Sequence, residues 1–165
     1  MPAEHDASRI QDRARQLLRD GMNAGIPVSP RTHVEFPIPV RGPGRDLRSW
    51  FVPLSEGEVL LGFFELRPDL TLLRYSSFQR HEGKLDGCPL KKSWLDSTTI
   101  KQRAVEDLRP GERVVDVYLS YDREPSRLAW AVQLDTPYGV GRTLFVAGDV
   151  VWEARSNGSE EYAGG

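Results

Sequence analysis

One cysteine, Cys88, stands in 165 residues, so no disulfide can form within the chain. That excludes a small disulfide-stapled fold, though not secretion. No stretch approaches the roughly 20 apolar residues needed to span a bilayer. Neither sign of charge prevails: 22 Lys and Arg stand against 24 Asp and Glu, a formal net charge of -2. A dedicated nucleic-acid binder would carry a clear basic excess, so no nucleic-acid partner is expected. The opening MPAEHDASRIQ has neither the basic nor the apolar region of a secretory leader. As given, the chain reads as soluble and cytoplasmic, or as secreted or periplasmic if a leader has been removed.

Catalytic chemistry is equally thin. The histidines are His5, His33 and His81, with no pair at helical i, i+4 spacing. His81, Glu82, Asp86 and Cys88 fall close together, but a polar linker is the plainer reading than a metal site. Cys88 as a nucleophile would want a histidine partner and a helix N-terminus or cation, and only Lys91 and Lys92 come after it. The acidic residues show no paired spacing for glycoside chemistry. RGPGRD and YGVGR lack the strand-to-helix setting of a phosphate loop, and YGVGR reads better as a hairpin loop. Asn157-Gly158-Ser159 is a formal glycosylation sequon. The expectation is a protein without catalytic residues, metal or cofactor.

What is present is a core-forming chain, 39% hydrophobic and 28% charged. Ser8 and Gln11 have the form of a capping box. Ile10, Ala14, Leu17 and Leu18 then make one apolar helical stripe that should stop near Gly21 or Gly25. The helix also carries Arg9, Arg13, Arg15 and Arg19 interleaved with Asp12 and Asp20, which reads as a solvated face. Pro27, Pro30, Pro37, Pro39 and Pro43 mark the next segment, where HVEFPIPV suits an edge strand and VRGPGRD a loop. LRSWFVPL, EVLLGFFEL and LTLLRYSSFQ read as an antiparallel meander broken at Ser55-Glu56-Gly57 and Arg67-Pro68-Asp69. A polar connector over 80–96 leads to a second helix, starting near Asp96 to Thr99 and carrying Ile100, Ala104 and Leu108. RVVDVYLSY, SRLAWAVQL, GRTLFVA and DVVWEA come next as strands. Residues 155–165 read as a disordered tail.

The two helices share a pattern. IQDRARQLL and IKQRAVEDL both fit I-x-x-R-A-x-x-x-L, 90 positions apart. Any amphipathic helix offers such spacing, but the strands add an independent match. Trp50, Val52 and Leu54 recur as Trp130, Val132 and Leu134, 80 positions on, and the same offset carries Asp69 to Asp149 and Leu72 to Trp152. Constant spacing within the sheet, with a length change in one loop, is the mark of a duplication. The fold expected is therefore α+β: two repeated helix-plus-antiparallel-meander units, packed side by side or sharing one extended sheet. The first covers 1–79 with a proline-rich insertion at 27–45, and the second 97–154.

TTIKQRAVEDL, VVDVYLSY, RLAWAVQL and TLFVAGDVVWEA together resemble the PepSY domain. The resemblance rests on Ala104 of the helix, on Trp130, Val132 and Leu134 of the strand, and on Val146, Ala147 and Gly148 before Val150 and Val151. Arg67-Pro68-Asp69 departs from the small-residue turn of that pattern. The resemblance implies a cystatin-like helix-on-sheet form and a non-catalytic module that binds or restrains a protein partner. The residues expected to carry binding are Trp50, Phe63, Phe64, Trp130 and Trp152. The tryptophans are either sheet core or an exposed aromatic patch. Phe63 and Phe64 are adjacent in a strand, so one must leave the helix-covered face, to be covered by the other unit or by a partner. The exposed sheet face, the segment 27–43 and the sheet edges are the candidate surfaces. The other class of reading is a small-molecule binder or enzyme with a cone-shaped cavity between helix and curved sheet, holding His33, Tyr75, Tyr118 or Tyr121 with a carboxylate. Oligomeric state stays open.

Overall fold

The computed structural model describes residues 4–22, 28–78 and 85–154. They form three helices and nine strands, an α+β protein, and divide into two compact units, Met1–Asp96 and Ser97–Gly165. No helix among the described residues is long and apolar enough to cross a membrane.

The first unit opens with α1 (Glu4–Arg19). Ala7, Ile10, Ala14 and Leu17 recur at helical spacing, and all four are buried. Ser8, expected to cap the helix, lies inside it and is exposed. Its expected partner Gln11 instead donates from Nε2 to the Val34 carbonyl at 3.2 Å. The stop at Gly21 is a Schellman cap. Gly21 takes φ 73, its N–H donates to Leu18 O, and the Met22 N–H donates to Leu17 O at 2.9 Å. Gly25 lies outside the described residues.

The strands of this unit are β1 (His33–Val34), β2 (Ile38–Arg41), β3 (Leu47–Glu56), β4 (Val59–Leu66) and β5 (Leu72–Ser77). They pair antiparallel in the order β5-β4-β3-β2, with β1 also on β3. HVEFPIPV thus gives two short strands instead of one. Pro37 has no N–H to donate, and neither has Pro53 in β3, whose carbonyl alone is used, by the Glu35 N–H at 2.9 Å. The partner strand is interrupted where donors are missing. The core joins Ile10, Ala14 and Leu17 of α1 to Val34, Val52, Leu54, Leu61, Phe64 and Leu66, with Leu18, Trp50, Leu70 and Leu72 packed at its margin.

Within the stretch expected to be a connector, residues 80–84 lie outside the described residues, as does residue 79 before it. Residues 85–96 belong to the first unit and contain α2 (Lys91–Leu95). The Leu60 N–H donates to Pro89 O at 2.9 Å, the Lys91 N–H donates to Glu58 O at 2.7 Å, and Leu90 bridges to Val59.

The second unit consists of α3 (Ser97–Val105), β6 (Arg113–Tyr121), β7 (Leu128–Thr136), β8 (Gly139–Ala147) and β9 (Val150–Glu153). The strands pair antiparallel in chain order. α3 packs over β6, β7 and β8, and its Ile100 and Ala104 are wholly buried. Leu108, expected at the end of that stripe, falls past the helix in the next turn and is half-buried. Of YGVGR, Gly139 to Arg142 belong to β8, and the hairpin tip is Pro137-Tyr138. The segment 155–165, including the sequon, lies outside the described residues.

The pairing of the two meanders repeats. In β2–β3, Ile38↔Phe51, Pro39↔Trp50 and Val40↔Ser49 recur 80 positions on as Tyr118↔Ala131, Leu119↔Trp130 and Ser120↔Ala129. In β3–β4, Trp50↔Leu66, Val52↔Phe64, Pro53↔Phe63 and Glu56↔Val59 recur as Trp130↔Val146, Val132↔Leu144, Gln133↔Thr143 and Thr136↔Gly139. Both hairpins also slip register at the same place, beside Leu54 and Leu134. The closing strands break the spacing. A five-residue loop separates Leu66 from Leu72, but only Gly148 and Asp149 separate Ala147 from Val150. Trp152, opposite Phe145, therefore occupies the place of Arg74, opposite Glu65, and not that of Leu72.

Candidate functional site

The five aromatic residues singled out from sequence do not converge on one surface. Phe64 has no exposed area and Trp130 very little; both belong to the sheet interior. Trp50 is half-buried at the margin of the α1 core. By strand alternation, Trp130, Val132 and Leu134 share a face with Leu119, Leu144 and Val146, all buried. Trp152 lies on the opposite face, its ring centroid 5.7 Å from that of Phe145, and its Nε1 donates to Asp122 Oδ2 at 2.8 Å. Around it gather Ala129, Ala131, Phe145, Tyr118, Ala147 and Ala154.

Phe63 is the residue that leaves the helix-covered face, and its cover comes from within its own unit. Its ring packs tilted against Phe51 at 4.7 Å and Phe78 at 5.7 Å, and Trp94 of α2 closes the group at 6.5 Å from Phe51 and 5.6 Å from Phe78. The Arg74 guanidinium lies over the Phe63 ring at 5.4 Å. On the same face Glu65 is buried, accepting from Ser49 Oγ at 2.6 Å and from Arg74 Nε at 2.5 Å. A carboxylate so far from water is tolerable only with such partners. At the edge of the aromatic group, Glu35 accepts from Ser55 Oγ at 2.6 Å and from Lys91 Nζ at 2.8 Å. Burial pushes the Glu35 carboxyl up, but the bonds from Lys91 and Ser55 outweigh it, and the group sits below its ordinary value.

Arg13, read from sequence as part of a solvated face, and Arg103, at the same place in the second I-x-x-R-A-x-x-x-L helix, both make long-range contacts. Arg13 of α1 donates from Nε to the Leu70 carbonyl at 3.1 Å. Arg103 of α3 donates to the Gly148 carbonyl and pairs with Asp149 at 3.0 Å. Each ties its helix to the turn that enters the last strand of its own unit. That turn is strained in the first unit, where Leu70 takes φ 70 and is held by burial of its side chain against the core.

Glu112 takes a two-pronged bond from Arg142, at 2.8 and 2.9 Å, while Arg142 also reaches Asp107 O at 2.6 Å. Those bonds hold the Glu112 carboxyl down to about 2. Arg103, Glu106, Asp107, Asp149 and Val151 line a groove of about 460 Å³. Burial pushes the Cys88 thiol up, with Asp86 adding to it, the opposite of what a nucleophile needs. Of the suspected metal cluster, His81 and Glu82 lie outside the described residues, as does the His5 side chain; His33 is exposed on β1. Among the described residues no three His, Cys, Asp or Glu side chains group as metal ligands would.

The strand edges are the remaining feature. β5 pairs with β4, and no described strand lies on its other side. It contains no proline, and its one charge, Arg74, is committed to Glu65. Leu73 and Tyr75 are 39% and 37% exposed. β9 is shorter, and its Glu153 is engaged by Arg109 and Arg142.

No family's sequence model matches the chain, and comparison with curated proteins and solved structures gave no match.

Proposed function

We propose that this chain is a non-catalytic protein-binding or regulatory module, built from two copies of a PepSY-like unit, that takes an extended segment of its partner along β5. The observation that carries the reading is the edge itself. Six residues lack the lysine, proline or outward charge with which edge strands are ordinarily blunted, and they expose Leu73 and Tyr75. An extended segment added there would gain main-chain hydrogen bonds and two apolar contacts. The duplication is supported by pairing that recurs at a spacing of 80 and by the arginine that ties each helix to its turn. The PepSY resemblance adds the expectation of a restraining or escorting role. Side chains fill the space between α1 and its sheet, which favours a binding surface over a cone-shaped cavity.

The test compares the wild-type chain with Leu73→Lys/Tyr75→Lys in capture from the source organism. The reading expects a protein held by wild type and lost at least tenfold by the variant, with β5 amides protected in the complex. A partner retained by the variant overturns the edge assignment. A wild-type chain that holds no protein overturns the reading itself.

A further inference from the structure

α2 is poorly made as a helix. It has five residues, too few to be stable alone. Its N-cap, Leu90, makes no side-chain cap bond. Its first two residues are Lys91 and Lys92, with no acid in the first turn, so cations stand where the helix dipole disfavours them. None of its residues is buried, and Leu90 before it is 54% exposed. Yet it lies over the best-developed aromatic group on this unit's second sheet face: Phe51, Phe63 and Phe78 under Trp94. Its attachments include Trp94 on the phenylalanines, Lys91 on Glu35, and the main-chain bonds at Leu60 and Lys91. Those main-chain bonds extend the sheet at the start of β4, as an added peptide would.

We infer that residues 88–96 are a releasable strap, an internal stand-in for a partner segment that docks on the Phe51/Phe63/Phe78 floor beside Glu35. The strap specifies what replaces it: an extended residue pairing with Val59, then a cation for Glu35, then an aromatic side chain three positions later for the floor, the spacing of Lys91 and Trp94. The identity of the occupant rests on the protein-binding reading above, but the opening of the strap does not.

Hydrogen exchange on the full chain separates the two. The Leu60 and Lys91 amides, bonded across the strap, are expected to exchange at least a hundredfold faster than those of the Val52–Phe64 pair, because they open without the sheet. Glu35→Gln, which keeps a hydrogen-bonding group for Ser55 while removing the charge, is expected to speed the first two about tenfold and leave the second pair unchanged. Equal exchange at all four positions in both proteins overturns the strap. For the floor, the probe is a synthetic peptide of residues 85–96 added to full-length Trp94→Ala and to wild type. Binding at least tenfold tighter to the variant is expected; equal binding, or none to either, overturns the docking site whether or not the strap opens.

Discussion

The two units agree on one face of the sheet and part on the other. Facing inward with α1 in the first unit are Trp50, Val52, Leu54, Phe64 and Leu66; at the same spacing in the second stand Trp130, Val132, Leu134, Leu144 and Val146. Every one of these positions stays apolar. On the reverse face nothing is kept: Phe51, Phe63, Glu65 and Ser49 become Ala131, Thr143, Phe145 and Ala129. The first unit brings an aromatic lid from α2 to large rings on the sheet. The second lays Tyr118 and Trp152 from its outer strands across small alanines. A helix dictates the face beneath it, because both surfaces must interdigitate at crystal-like density. The reverse face answers to whatever covers it, so the two units differ there.

This contrast can be broken or sharpened in several ways. The largest expected effect is at the shared face. Phe64→Ala should destabilise the first unit by about 3–5 kcal/mol, and Leu144→Ala the second by about 2–5 kcal/mol, measured by urea unfolding with exchange rates assigned to each unit. A loss under 1 kcal/mol at either would deny that these positions are equivalent core. On the reverse face, Arg74→Met leaves Glu65 buried with only Ser49, and a loss of about 3 kcal/mol is expected. Arg74→Met combined with Glu65→Leu should recover most of it. If the double variant is no better than the single, the carboxylate is not what the arginine serves.

Smaller effects probe the arginines. Arg13→Met and Arg103→Met should each cost about 1.5–3 kcal/mol, as for a charged donor on a carbonyl, and by similar amounts. A cost at one and none at the other would mean that the shared I-x-x-R-A motif has no shared role. Both units hold carboxylates below their ordinary values, Glu35 in the first and Glu112 in the second. Glu112 has its folded pKa lowered from 4.5 to about 2, so its contribution is complete above about 4.5 and is lost as pH falls towards 2. Glu112→Gln should flatten that acid limb of the stability curve; an unchanged limb assigns the loss to other carboxylates. Smallest of all, Ser8→Ala should change stability by no more than about 0.5 kcal/mol, since Ser8 is an exposed mid-helix residue. A loss near 1 kcal/mol would restore it as a cap.

Much of the scaffold was legible in residue spacing. The stripes of α1 and α3, the Gly21 stop and the alternation of W-x-V-x-L derive from local pattern, which encodes the side that is buried; the hairpin turns do not, since Ser55 and Glu56 belong to β3 and Gly139 to Arg142 to β8. The W-x-V-x-L match also picked out β3 and β7 as strands that turn the same residues to one face, but the register of their hairpins came from the structure. The α+β class therefore belongs to the sequence alone, as does the recurrence of its helix-facing pattern.

Only the tertiary structure decided the rest. Arg13 meets Leu70 and Glu35 meets Lys91 across 57 and 56 positions, distances at which no local pattern records a partner. Trp94 sat in a stretch whose polarity and turn residues read as a linker, because the helix there is too short and too exposed to leave a periodic trace. Trp152 came out on the other face from Leu72 because the place of Leu72, opposite Leu66, is taken by Val151, opposite Val146, one residue earlier than the offset of 80 assigns, and such a shift is invisible to a comparison made at constant offset. Local spacing states which side of a strand seeks cover; long-range packing determines what provides it.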